Sequence, residues 1–233
     1  MKHTTEIVVF ILSGVFLLFL WLAFDERMAT LYLLMLFVAY VILDKFNLVY
    51  RIESRIDNRA MAFFTASIAY VIFLVVTTFI FSLFSALAQF ADFQSIIQLY
   101  ATSTPILQGS VFLTILAWGF IIPTIETLFF FGFLFGILIL MTRRSIGVNV
   151  STERINIPII IIMIICSSLF TLFHITSKGL ANLPLIITFI FAIFSCVLVF
   201  KTKEIKSAIL LHIIANLVAV LSSLGLIFSS VGG

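Results

Sequence analysis

The sequence predicts an all-α protein, a polytopic bundle of about seven transmembrane helices, with eight as the alternative count. Three observations carry that expectation. Of 233 residues, 63% are hydrophobic and only 10% charged. The apolar residues fall into long runs. The lysines and arginines sit in the short breaks between those runs. A soluble domain is about 45–50% apolar and about 25% charged, so this chain has too few charges to cover its apolar surface with water. Lipid removes the difficulty, because the outward helix faces are then apolar as well.

Taken in order, the first run covers residues 7–24 after Lys2. It is long enough to span, lacks a small-residue cleavage pattern before Asp25, and is read as a retained first helix. The second, 29–43, is short and calls for a snorkelling flank or an interfacial aromatic residue. A polar stretch, 44–59, leads to the third run, 60–88. Residues 89–105 hold no Lys or Arg, and Phe90, Phe93, Ile97 and Tyr100 recur there at helical spacing, which suggests a short interfacial helix. The fourth run, 107–141, contains Pro123 and reads as one long tilted or kinked crossing. An extra crossing within 89–122 gives the eight-span alternative. Runs at 157–176, 182–200 and 207–229 complete a single integral membrane domain, 1–233.

Seven spans distribute the 13 basic residues unevenly. Lys2, Lys45, Arg51, Arg55, Arg59, Arg143, Arg144, Arg154, Lys201, Lys203 and Lys206 fall on one side, and Arg27 and Lys178 on the other. The imbalance predicts a cytoplasmic N-terminus and an outer C-terminus, in the cell membrane. The net charge of +3 is therefore topology, and no nucleic-acid partner is expected. Cys166 and Cys196 lie inside apolar runs and form no metal-knuckle or disulfide pattern.

Nine of the ten acidic residues sit in breaks or at the ends of runs; only Glu126 lies deep inside one. A carboxylate in hydrocarbon is costly, so it must face the bundle interior, carry a proton or find a partner. Two of the three histidines, His174 and His212, also lie in apolar runs. Asn216 follows His212 by four residues and shares its helix face. Each alone fits a helix–helix hydrogen bond. Together they supply a proton acceptor, two imidazoles and an amide, a set suited to attack by water on an amide carbonyl or to a proton path. Depth sets a geometric condition. At about 1.5 Å per residue, His212 lies roughly 9 Å into its run and His174 roughly 25–28 Å into its own from the same side. Glu126 lies roughly 22 Å from the Met141 end. Tilt, helix ends beyond the lipid and a dipping connection near Gly179 are then needed to bring the rings together.

The stretch Pro123-Thr124-Ile125-Glu126-Thr127-Leu128-Phe129-Phe130-Phe131-Gly132 resembles the first motif of the CPBP family, the CAAX-protease and Abi-like intramembrane proteases that include Rce1-type enzymes. That motif is Glu-Glu-x-x-x-Arg, and here Thr127 stands at the second glutamate and Phe131 at the arginine. Phe170 to His174 resembles the second motif, Phe-x-x-x-His, and His212 to Asn216 the third, His-x-x-x-Asn. The likeness covers about residues 107–220. It implies a CPBP/Rce1-like bundle and an intramembrane endopeptidase acting on a membrane-associated, prenylated or leader-bearing peptide or protein, with the lipid bilayer as its other partner. It also implies that Glu126 and His174 activate water while His212 and Asn216 hold the oxyanion. A divalent metal such as zinc, held by Glu126, His174 and His212, and a metal-free glutamate-dependent route are both open. Loss of the Glu/Arg pair points to the alternative, a catalytically silent homologue serving as scaffold, immunity or regulatory partner. A small transporter or channel ranks below both, because it calls for more polar lining residues.

Overall fold

The structure, a computed structural model, describes residues 32, 34–35, 59–83, 92, 94–97, 110–146, 155–175 and 182–225. The expected first span, most of the second and the polar stretch 44–58 lie outside the described residues. Among the described residues the chain is all helical: α1 (Arg59–Leu83), α2 (111–146), α3 (Ile157–Phe173), α4 (Asn182–Thr202) and α5 (Ile205–Ser223). Among the described residues, four stretches are long and apolar enough to cross a bilayer: Met61–Leu83, Val111–Thr142, Leu183–Thr202 and Ile205–Ser223. Ile157–Phe173 is apolar but shorter.

Apolar residues lie on both faces of these helices, as lipid allows. On α1, Ala62, Ala66, Phe73 and Phe81 turn inward, while Phe64, Ile68, Val75 and Phe79 are exposed. On α3, Ile159, Ile162, Cys166 and Phe170 are buried, whereas Ile160, Ile161, Ile164 and Leu172 face out. The buried side of each helix recurs every three to four residues, so the bundle core is legible despite the uniform hydropathy. Helix α5 packs against α1, α2 and α4, and α4 packs against α3. Phe73 links α1 to α4 through edge contacts with Phe191 and Phe194 at 5.6 and 6.0 Å between centroids.

The helix ends follow local chemistry. Ser110 Oγ accepts the Leu113 N–H at 3.3 Å at the start of α2. Asn156 Oδ1 accepts the Ile159 N–H at 3.2 Å ahead of Pro158 at the start of α3. Gly225, at φ +68°, closes α5 by donating to Ser222 O at 3.0 Å, a conformation that suits glycine. Between α1 and α2, residues 94–97 form a helical turn, and hydrogen bonds from the Ser95 hydroxyl and amide hold the Asp92 carboxyl below its ordinary range. Ile96 and Ile97 of that turn are buried in the core, so this part of the expected interfacial helix packs on protein. Phe90, Phe93 and Tyr100 lie outside the described residues.

The fourth run is one continuous helix, but not a uniform one. Within α2, Ile115–Ile121 and Leu128–Leu134 are π-helical, and α-helix occupies Val111–Thr114, Ile122–Thr127 and Phe135–Ile146. In the first wide stretch Ile122 N–H reaches back to Ala117 O, and Pro123 has no N–H to offer Trp118 O. The proline effect expected from sequence therefore takes the form of a change of helical register. The short α segment 122–127 between the two wide turns carries Glu126 and Thr127. Gly119 lets α5 come close here, since a Cβ would meet Leu217 Cδ2 at 2.6 Å.

Candidate functional site

Glu126 points into the bundle and is only 3% exposed. Its two oxygens have different surroundings. Oε1 accepts a hydrogen bond from the Tyr32 hydroxyl at 3.1 Å. Oε2 faces both histidines, with His174 Nε2 at 3.6 Å and His212 Nε2 at 3.8 Å. The two rings therefore meet at one depth. His174 is the C-cap of α3, which is only 17 residues long, so its ring reaches the level of a mid-helix residue on α5. Both separations exceed a direct hydrogen bond, which at such groups is about 2.7–3.2 Å.

The His174 ring is fixed by its own helix. Its Nδ1 lies 2.9 Å from Phe170 O, a carbonyl that can only accept. Nδ1 therefore carries hydrogen, and in the neutral ring Nε2 presents a lone pair to Glu126. At 14% exposure, the His174 side chain is more open than Glu126 or His212.

Aromatic rings form the walls. The Phe170 ring lies 4.4 Å from the His174 ring and 5.8 Å from that of His212. Phe191 packs on His212 at 4.9 Å. Phe131 is buried against Phe170 at 5.1 Å. The Phe-x-x-x-His spacing thus has a physical content: one residue supplies both the carbonyl that orients His174 and the ring that supports both imidazoles.

Asn216 is the residue that does not join the carboxylate. Its Nδ2 donates to Trp118 O at 3.0 Å, the carbonyl that an N–H at position 123 would have taken in the π register. The amide thereby ties α5 to the wide turn that precedes Glu126.

Two participants were not anticipated. Tyr32 belongs to the short second run, where an interfacial aromatic residue is expected; it is buried against Glu126 instead. Tyr32 and Tyr40 are equivalent in the sequence pattern, and nothing local singles out the first. Thr127, read as a loss from the family motif, lies 2.9 Å from His212 Nδ1 through its hydroxyl. Its adjacency to Glu126 was the available signal. The result is a buried Glu-His-Thr cluster of the kind a catalytic site uses.

The donors Glu126 Oε2, His174 Nε2 and His212 Nε2 are of types that bind zinc. Among the described residues, however, no three His, Cys, Asp or Glu side chains form a group able to hold a metal ion.

Residues 107–218 match the family of type II CAAX prenyl endopeptidase Rce1-like proteins, so this part of the chain is an Rce1-like domain. The matched stretch contains Glu126, Thr127, His174, His212 and Asn216 and leaves out Tyr32. No curated protein and no solved structure matches the chain.

Proposed function

We propose that the Rce1-like domain makes this chain an intramembrane endopeptidase that cleaves a membrane-associated, prenylated or leader-bearing peptide with water activated by Glu126 and His174. One observation carries the reading: a buried carboxylate oxygen sits 3.6 and 3.8 Å from the Nε2 atoms of two histidines on different helices. A water seated beside Oε2 and His174 Nε2 meets two acceptors, and its oxygen is left to attack. As that oxygen bonds to the carbonyl carbon, its proton passes to the Glu126–His174 pair. The tetrahedral oxyanion falls to His212, with the second Nδ2 hydrogen of Asn216 as the additional donor. The stored proton then moves to the amine nitrogen, the C–N bond breaks, and the products are a carboxylic acid and an amine. No step is routed through a metal. The chain is proposed to cross the bilayer seven times with its N-terminus in the cytoplasm.

The test uses purified protein in lipid nanodiscs and a library of prenylated and leader-type peptides. Glu126→Gln and His174→Ala are each expected to lower cleavage at least about 100-fold, the usual scale for losing a general base, with the fold retained. Cleavage that survives both changes overturns the reading. The silent-homologue reading draws on the buried Phe131 and on Thr127, which stand where the family carries an ion pair. It expects no cleavage by the native chain and a partner whose co-purification is indifferent to both substitutions.

A further inference from the structure

The two histidines face the same carboxylate oxygen through the same ring atom, yet their other nitrogens meet opposite chemistry. We infer that Thr127 is a positioning residue that fixes His212 as the Nε2–H tautomer, so that His212 is the hydrogen-bond donor of the site while His174 is the acceptor.

Threonines in these helices usually give their hydroxyl hydrogen to the carbonyl four residues earlier: Thr77 to Phe73, Thr124 to Phe120, Thr171 to Ser167 and Thr188 to Pro184, at 2.7–2.8 Å. Thr127 does not bond Pro123 in that way; its hydroxyl is paired with His212 Nδ1 at 2.9 Å. Thr127 is fully buried. Were Nδ1 protonated, the ring would donate to Oγ1 and the threonine hydrogen would be left buried without an acceptor. Such a group costs about 1–3 kcal/mol, enough to choose between two tautomers of similar intrinsic energy. With the hydroxyl donating, Nδ1 accepts and the ring proton sits on Nε2. It then faces Glu126 Oε2, 3.8 Å away, and is available to an oxygen that binds beside the pair.

The residue type matters. An ionised glutamate at position 127 can only accept, and would pair with a protonated Nδ1. A threonine can donate. The Nε2–H tautomer supplies a donor for an oxyanion and makes the ring a poor ligand at Nε2. The inference deepens the proposed hydrolytic reading, but it is measured on the resting protein without substrate.

The experiment is nitrogen-15 NMR of histidine-labelled protein in nanodiscs, with His212 assigned by difference from His212→Gln. The native ring is expected to show a protonated Nε2 and an unprotonated Nδ1. Thr127→Ser keeps that signature, and Thr127→Val, nearly the same shape, loses it to a mixture of tautomers. In the cleavage assay Thr127→Val is expected to lower kcat roughly tenfold with KM little changed, and Thr127→Ser to restore it, as for one lost hydrogen bond of about 1.4 kcal/mol. A native His212 with its proton on Nδ1, whether neutral or doubly protonated, overturns the inference. So does a Thr127→Val spectrum identical to the native one. Because the native spectrum decides alone, a Val variant that fails to fold leaves the test intact. Absence of cleavage with the expected tautomer removes the endopeptidase and keeps the Thr127 assignment.

Discussion

Replacing Tyr32 by Phe removes one oxygen atom from the site and nothing else of its shape. The edge contact of the ring with Phe173, 6.4 Å between centroids, is retained. What is lost is the bond to Glu126 Oε1. Hydrogen bonds to charged groups contribute about 1.5–3 kcal/mol and neutral ones about 0.5–1.5. The separation of 3.1 Å is at the long end for an O–H donor, which places the expected cost near 1–2 kcal/mol. Both partners are buried, so bulk solvent does not readily replace the lost bond at Oε1. A double-mutant cycle isolates the pair: native, Tyr32→Phe, Glu126→Gln and the double variant, each followed by reversible unfolding in mixed micelles. The coupling is expected at about 1–2 kcal/mol, well above the additivity limit of about 0.3–0.5. A coupling inside that limit refutes the bond, and with it the claim that a helix outside the matched family region completes the site.

Two further expectations concern the frame. Asn216→Ala is expected to destabilise by about 1–3 kcal/mol, because it withdraws the side-chain donor from the Trp118 carbonyl; Asn216→Asp should cost at least as much, since a carboxylate cannot donate, and unfolding midpoints equal to the native one would dismiss the tie. Single cysteines at Ser145 and Lys203 are expected to label from one face of the membrane and one at Lys178 from the other. The native Cys166 and Cys196 are buried and stay silent in that assay, and labelling of all three positions from one face would overturn the proposed topology.

The fold was legible where hydropathy and breaks speak plainly. Runs expected at 60–88, 157–176, 182–200 and 207–229 correspond to helices Arg59–Leu83, Ile157–Phe173, Asn182–Thr202 and Ile205–Ser223 over the described residues. Pro123 announced a disturbance in the fourth run, but the two π stretches on either side of Glu126 were not legible. A register change depends on which carbonyls find partners, and Asn216 lies 98 residues from the carbonyl it serves. The same separation in sequence hid Tyr32, 94 residues from Glu126. Depth arithmetic placed the two histidines apart because it treated each run as a straight helix entering at a common level. The short α3, ending at the ring of His174, removes that premise. Rarity already singled out Glu126, His174 and His212 before any motif: a few polar side chains in a chain rich in Phe, Ile and Leu must be brought together or each bears the cost of burial.

That same cost explains why Thr127 and Phe131 are compatible with an intact site. The family motif places a glutamate and an arginine at these positions, charges that cancel. Removing one alone would strand its partner in a low-dielectric interior, a change of about 3–5 kcal/mol. Removing both leaves the charge of the site as it was. The positions are then refilled by what the surroundings accept. Phe131 closes on the Phe170 ring that already supports both imidazoles. Thr127 keeps one hydrogen bond to His212 at 2.9 Å without bringing a charge. The exchange therefore conserves electrostatic balance and packing, and the inferred Thr127 bond keeps the ring proton of His212 on the nitrogen that faces Glu126. A reaction that needs a donor opposite Glu126 is served by that arrangement, and a reaction that needs a second lone pair there is not.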